Sequence, residues 1–313
     1  MHFIQLKNKL RPAAERLDPD RRLRNIARNI RGGRSGAESA LAGNDAIRSA
    51  LSARANFLVG RVGASEMKIV NGYLLRRRLP FWTYNRSDRY EIQLNSGLYP
   101  AEDKDLDSFA ELYLRCVAAV DIFCAWFIPG ERRIINGQKF DCLTALPALE
   151  PYFFERPWSH SLRGKKVLVV TPFVKTIREQ LNKLNLVWGY DLFPEVEFDF
   201  VPFPHSQMLM SDNGPRRPWV DILDEASTAI NSRAFDVGLV GAGAATLPLA
   251  CHMKCLGKVG IAMGGALQIM FGVRGRRWDV DPNFAKYFNE HWVRPFEEET
   301  PPRFKANENG AYW

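Results

Sequence analysis

Short apolar runs alternate with helix-length amphipathic stretches along most of this chain. Residues 57–60, 121–127, 167–170, 196–201, 237–240 and 259–262 are strand-length and rich in Val, Ile, Leu and Phe. Such runs suit strands buried on both faces. Between them lie helical patterns, among them one through Met67, Ile69, Val70, Tyr73 and Leu74, and others over 102–120, 175–184 and 219–231. Residues 236–272 are the most regular stretch: an apolar run, Gly241 and Gly243, a helix-length run over 244–256, the helix stop Gly257, and a second apolar run. Strand, glycine turn, helix and strand form a right-handed βαβ unit. The repeated alternation predicts an α/β chain with a Rossmann-like, doubly wound, mostly parallel sheet. Residues 81–96 are aromatic and polar and read as a loop with short strands, lining a cleft. Residues 147–157 read as an aromatic turn region. The stretch 278–313 reads as an irregular arm packed on the sheet, tied down by Tyr312 and Trp313.

The pattern changes at the N-terminus. Residues 1–31 read as two short helices, with Asp18 as an N-cap, Pro19 at the first helical position and Gly32 and Gly33 as a stop. Leu23, Ile26, Ala27 and Ile30 share one face, and Arg21, Arg22, Arg24, Arg28 and Arg31 fill much of the rest. Residues 1–54 hold twelve Lys or Arg against five Asp or Glu, which leaves the remainder close to neutral although the whole chain is +8. These residues form a basic helical extension and linker, and 55–313 form one α/β domain. A basic amphipathic helix suits an anionic membrane surface, and equally a solvated face on its own domain.

Composition narrows the field. A hydrophobic fraction of 46% with 25% charged residues is an ordinary globular balance. No apolar run approaches the roughly 20 residues that span a bilayer. The start carries no secretory leader. Cys116, Cys124, Cys142, Cys251 and Cys255 have no framework spacing and fit reduced core residues, so the expected location is cytoplasmic. Cys251, His252 and Cys255 lack a second ligand cluster for zinc. A basic surface for nucleic acid is not indicated.

In open α/β sheets ligands gather beyond the carboxyl ends of strands. The candidates are therefore the residues that follow each run: 61–66, 171–176, 205–207 and 241–246. Glycine at Gly241 and Gly243 admits a group close to the backbone. The amides of Gly241, Ala242, Gly243, Ala244 and Thr246 precede a helix, where unpaired N–H groups attract anions such as a diphosphate. A tightly packed turn with no ligand has the same pattern. Gly63 and Thr171 hold equivalent places after their strands.

At Arg61-Val62-Gly63-Ala64-Ser65-Glu66 and over 241–265 the sequence resembles bacterial glycosyltransferases of the GT-D fold type, which serve polysaccharide and glycoprotein biosynthesis. The phrases 95–100, Thr171-Pro172-Phe173, Phe271-Gly272, 289–295 and 310–313 carry the same likeness, from about Phe57 onward. The resemblance implies a nucleotide-sugar donor, a polysaccharide or lipid-linked acceptor, and a divalent Mn²⁺ or Mg²⁺ held with help from an Asp-x-Glu pair. Glu66 matches the Glu, and Ala64 stands where the Asp belongs. One carboxylate is a poorer ligand for these hard ions. On this reading Glu66 faces metal or acceptor, Arg61 pairs with phosphate or orients Glu66, and His205 is a phosphate donor or a base. An internal Arg61–Glu66 salt bridge and a turn-capping His205 are the structural counterparts. A lipid-linked acceptor and the basic helices over 1–31 imply a peripheral position on the inner face of the membrane.

Three other classes compete. A nicotinamide-type oxidoreductase needs a fuller glycine signature with an acidic residue about 20 positions on. A P-loop phosphotransferase needs Gly-Lys-Ser/Thr, which is absent. A protein of the same fold that binds nucleotide sugars without turning them over remains the alternative to an active transferase.

Overall fold

The computed structural model describes residues 37–205 and 216–313. The expected helices over 1–31, with Asp18 and the basic face, lie outside the described residues, as do Ser206 and Gln207. One compact unit takes in Glu38–Trp313.

Seven strands make one sheet: β1 (Phe57–Gly60), β2 (Ile122–Ala125), β3 (Cys142–Ala145), β4 (Lys166–Thr171), β5 (Glu197–Pro202), β6 (Val237–Val240) and β7 (Val259–Ala262). Their spatial order is β3-β2-β1-β7-β6-β4-β5, and every pairing is parallel. The α/β fold expected from the alternation is the fold observed. The bounds of β1, β6 and β7 are those of the apolar runs.

Each central strand feeds both layers, because successive side chains point to opposite faces. Leu58, Leu168 and Val170 join one core. Phe57, Val59, Val167 and Val169 join the other. Helices α1 (Ala40–Ala53), α2 (Ala64–Arg76), α3 (Arg86–Ser96) and α4 (Asp103–Ala118) precede β2, and α5 (Glu131–Ile135) precedes β3. Further on come α6 (Val174–Gln180), α7 (Leu184–Trp188), α8 (Trp219–Asn231), α9 (Thr246–Cys255), α10 (Ala266–Met270) and α11 (Arg276–Asp279). Residues of α2, α4, α8 and α9 fill the first core. Residues of α1, α6, α7 and α10 fill the second, with Trp278, Trp292 and Trp313 of the C-terminal arm.

Helix α9 lies very close to the sheet, and two glycines permit it. Gly238 and Gly260 pair in register. A Cβ on Gly260 would stand 2.0 Å from the Ala250 carbonyl oxygen, and one on Gly238 would stand 1.9 Å from Met253 Sδ. The Val-Gly-x-x patterns of β6 and β7 are therefore a seat for α9.

Three readings of the sequence need correction. The polar stretch 86–96 is helix α3, started by Asn85, whose side chain accepts from the Asp88 amide, and stopped by Gly97 in the left-handed region. Strand β3 is absent from the apolar pattern because it is short and half-buried. Within the stretch 1–54 read as extension and linker, residues Ala40–Ala53 are helix α1, capped by Ser39. Asn44, fully buried, joins that helix to the domain: it accepts from the Trp158 amide at 2.9 Å and donates to the Arg156 carbonyl at 2.9 Å. All five cysteines are free. Among the described residues no helix is long and apolar enough to cross a membrane.

Candidate active site

Along the sheet in the order β1, β7, β6, β4, β5, the helices that follow go alternately to one layer and the other. The connections diverge and leave a crevice at the carboxyl edge, where open α/β sheets bind ligands. A cleft occupies it, lined by residues at or after the ends of all five strands: Arg61 and Glu66, Gly264 and Gly265, Gly241 to Gly243, Thr171 with Pro172, and His205. Gly63, Ala64 and Thr246 also line it, whereas Ala244 lies fully buried in the floor of the turn. The four segments singled out by their position after strands thus meet in one place.

The β1 turn presents charge. Glu66 sits in the first turn of α2, where the helix dipole favours a negative group. It is only 7% exposed. Its carboxylate folds back over Gly63: a Cβ on that residue would lie 1.9 Å from Glu66 Oε2. The Gly63 amide is taken by the Tyr113 hydroxyl at 3.2 Å. Arg61 lies against the β7 turn, where Gly264 adopts φ +61° and a Cβ would stand 1.6 Å from Arg61 Nη2. On its other side the guanidinium is 5.9 Å from the Trp126 ring centre. Among the described residues Arg61 and Glu66 form no ion pair with each other.

Two acids stand near Arg61: Glu131, buried, and Glu150, half-buried. Glu131 accepts from the amides of Trp126 at 2.9 Å and Ile128 at 3.1 Å, and so holds the loop that carries Trp126. Burial lifts its carboxyl to about 7, against the pull of those amides and of Arg61. Burial likewise lifts Glu150 to about 7, opposed by the Tyr152 hydroxyl and by Arg61.

The β6 turn is largely self-satisfied. The Gly241 amide donates to the Val170 carbonyl, and the Ala245 amide to that of Ala242. The Ala242 amide donates to Thr246 Oγ1 at 2.9 Å, and the Thr246 amide to the Gly243 carbonyl. Gly243 faces the cleft at the start of this turn, whereas Ala244 is buried. Gly243 itself is exposed at φ +55°, and a Cβ there would meet the Ser96 carbonyl oxygen at 2.6 Å. Thr171 is buried, and its hydroxyl accepts from the Phe173 amide at 3.2 Å.

His205 is buried against Trp313, with ring centres 4.3 Å apart, and near Phe173 at 5.9 Å. Burial pushes it down to about 3, so it stays neutral at ordinary pH. The wall beside it holds residues with no signal in the strand pattern. Arg277 donates to the Tyr312 hydroxyl at 3.2 Å, lies 4.7 Å from the Tyr312 ring centre and pairs with Glu308. Gln268 donates to the carbonyls of Val273 and Tyr312 and fastens the end of the arm to α10. The one hint of this wall in the sequence was the density of aromatic residues in the arm.

A metal centre built from protein ligands alone needs more acids than the β1 turn offers. Among the described residues no group of three or more His, Cys, Asp or Glu is placed to hold a metal ion. Ser65 donates to Glu91 at 3.2 Å and Ala64 has no donor atom. Glu66 alone does not make a protein cage for Mn²⁺ or Mg²⁺.

The fold and site together define an α/β protein with a cleft at the carboxyl edge of a doubly wound sheet, where Arg61 and Glu66 meet aromatic and small residues. No family model matches the chain, and no curated protein does. Solved structures similar to it include a highly conserved domain of unknown function 1792 described as having a distinct glycosyltransferase fold, at 14% identity over 84% of this chain and 92% of that one, with a TM-score of 0.42. Another, from Streptococcus sanguinis, is described as a new glycosyltransferase; it is 13% identical over 84% of this chain and 95% of its own, also at 0.42.

Proposed function

We propose that the cleft binds a nucleotide-sugar donor and transfers the sugar to a polysaccharide or lipid-linked acceptor in cell-surface glycan synthesis. The observation that carries this reading is the buried carboxylate of Glu66 facing the same cleft as Arg61 and the β6 turn. The motif resemblance from Phe57 onward supports it.

As the glycosidic bond breaks, negative charge grows on the departing diphosphate. Fixed donors aimed at that charge lower the barrier. Arg61 supplies a guanidinium held in place by Gly264 and Trp126. The backbone at Gly243 and the start of α9 supply neutral donors. Glu66 takes the acceptor proton or orients the hydroxyl. His205, being neutral, adds no charge to the cleft. Gly63 leaves the space in which the Glu66 carboxylate rests, and Thr171 shapes the opposite rim. With one carboxylate in the β1 turn, the protein's own cation and amides meet much of the diphosphate charge; a Mn²⁺ or Mg²⁺, where bound, would be held by Glu66 together with the donor phosphates and would neutralise the same charge.

A second reading has its own support: Ala64 in the place of the motif Asp suits a protein that binds nucleotide sugars without turning them over. Thermal shifts with nucleoside diphosphates and sugar nucleotides, with and without Mn²⁺, test binding first. A ligand at a hundred times its Kd stabilises by about 2.7 kcal/mol. Donor hydrolysis or transfer then separates the two readings. A protein that no sugar nucleotide stabilises overturns both.

A further inference from the structure

The loop between α2 and α3 carries the most exposed large apolar side chain of the described residues. Phe81 is 80% exposed, with Trp82 at 42% and Leu79 at 37% beside it. A folded chain ordinarily covers such a cluster. This one cannot fold back, because its base is fixed. Arg76 donates to the Trp82 carbonyl at 2.6 Å and pairs with Asp103 and Asp107. Tyr84, buried, donates to Asp107 at 2.7 Å and stacks under the Arg76 guanidinium. Tethered at both ends, the loop holds its tip in solvent.

The flanks of the tip are basic. Arg77 and Arg78 are exposed. Arg78, Trp82 and Arg133 rim a groove that Lys68 and Asp88 also line. Lys68 is neutralised by Glu91 at 2.5 Å, and Asp88 is engaged by the Asn85 side chain at 2.6 Å. Among the described residues Arg77, Arg78 and Arg133 enter no ion pair.

We propose that this loop docks the protein on an anionic lipid bilayer, with Phe81 and Trp82 in the interfacial layer and Arg77, Arg78 and Arg133 on lipid phosphates. Amphipathic aromatic rings settle at the headgroup level, and basic residues beside them are drawn to anionic lipid. A soluble polyanion would satisfy the three guanidinium groups and leave Phe81 in water, which is why a bilayer is the occupant. The surface is separate from the donor cleft. Helix α2 has 13 residues and sets the loop roughly 20 Å from Gly63 at 1.5 Å per residue.

The test uses the full chain in co-sedimentation with vesicles of phosphatidylcholine alone and of phosphatidylcholine mixed with phosphatidylglycerol. Binding only to the mixed vesicles is expected. Phe81→Ser with Trp82→Ser should weaken it by roughly tenfold or more, and Arg77→Gln or Arg78→Gln by about fivefold each. Melting temperature and nucleotide binding should stay unchanged in all of them. Brominated lipid should quench part of the tryptophan emission, and Trp82→Phe should remove that part while retaining binding. The basic residues of 1–36 are the same in every variant. Equal binding by the serine variant would therefore assign the membrane contact to them and overturn the proposal. No binding by the parent chain, binding that ignores lipid charge, or capture by polyphosphate in place of vesicles overturns it as well.

Discussion

The β1 and β6 turns look alike in sequence, each an apolar run followed by glycine and a helix, yet they are built for different tasks. The β6 turn spends three of its donors on itself, gives the Gly241 amide to β4, and buries Ala242, Ala244 and Ala245. What it offers the cleft is shape and the exposed backbone at Gly243. The β1 turn makes no side-chain cap to its helix and holds Arg61 and Glu66 apart, without an ion pair between them. Glycine serves the β6 turn as a backbone conformation at φ +55° and the β1 turn as space for a carboxylate, at an ordinary φ of −91°. A glycine after a strand thus marks a site without saying which atoms act. The side chains around it decide that.

Substitutions that separate these roles sharpen the contrast. The largest effect is expected at Glu66. Glu66→Gln keeps size and removes charge, so transfer should fall by roughly a hundredfold or more with melting temperature nearly unmoved. Steady-state kinetics beside calorimetry decide it. A lowered melting temperature with normal turnover would make Glu66 merely the acid that starts α2.

Paired glycine variants come next. Gly243→Ala forces a side chain into the left-handed region against the Ser96 carbonyl. It should cost about 1–3 kcal/mol of stability and weaken nucleotide binding in a titration. Gly63→Ala meets only the mobile end of Glu66. It should displace that carboxylate and lower turnover while leaving nucleotide affinity and folding almost intact. Identical profiles for the two variants would erase the distinction between the turns.

The pH dependence of stability probes the wall opposite. His205 is held at about 3 against an ordinary 6.5, so below pH 6.5 the unfolded chain takes up a proton that the folded chain refuses. Its contribution is full above pH 6.5 and is lost as pH falls toward 3. Glu131 and Glu150 act in the opposite sense. Lifted to about 7 from 4.5, they favour the folded chain below pH 4.5, and that gain fades as pH rises through 7. His205→Phe removes only the first component. Urea unfolding at a series of pH values should show the variant gaining on the parent as pH falls below 6.5. A constant difference would mean that the imidazole titrates normally.

The smallest effect is expected from restoring an acid to the β1 turn. Ala64 is exposed at the cleft, so Asp fits there without strain. Ala64→Asp should tighten Mn²⁺ binding by calorimetry and make turnover more dependent on the ion. An unchanged Mn²⁺ affinity would show that Glu66 does not face a metal position.

The central strands were legible because burial on both faces leaves an uninterrupted apolar run. Val237–Val240 and Val259–Ala262 have no polar position to blur their ends. Helix α3 was hidden because its polar face dominates, with only Ile92, Leu94 and Ser96 buried. Its caps, Asn85 and Gly97, were the available signal. The turn residues of the cleft could be read because each follows a strand. Arg277, Glu308 and Tyr312 could not, since they reach the cleft through the packing of an irregular arm whose path no periodicity encodes.

That arm has a consequence for the order in which the molecule becomes competent. The seven strands are complete by Ala262, whereas the last wall of the cleft arrives with Glu308 and Tyr312. It is then locked by backbone bonds from Arg276 to Trp313 and from Arg277 to Ala311. A chain leaving the ribosome, or one clipped between Gly272 and Glu308, retains every strand of the sheet while lacking the Tyr312 wall. Spectra dominated by the sheet would score such a species as native, and nucleotide binding would score it as empty.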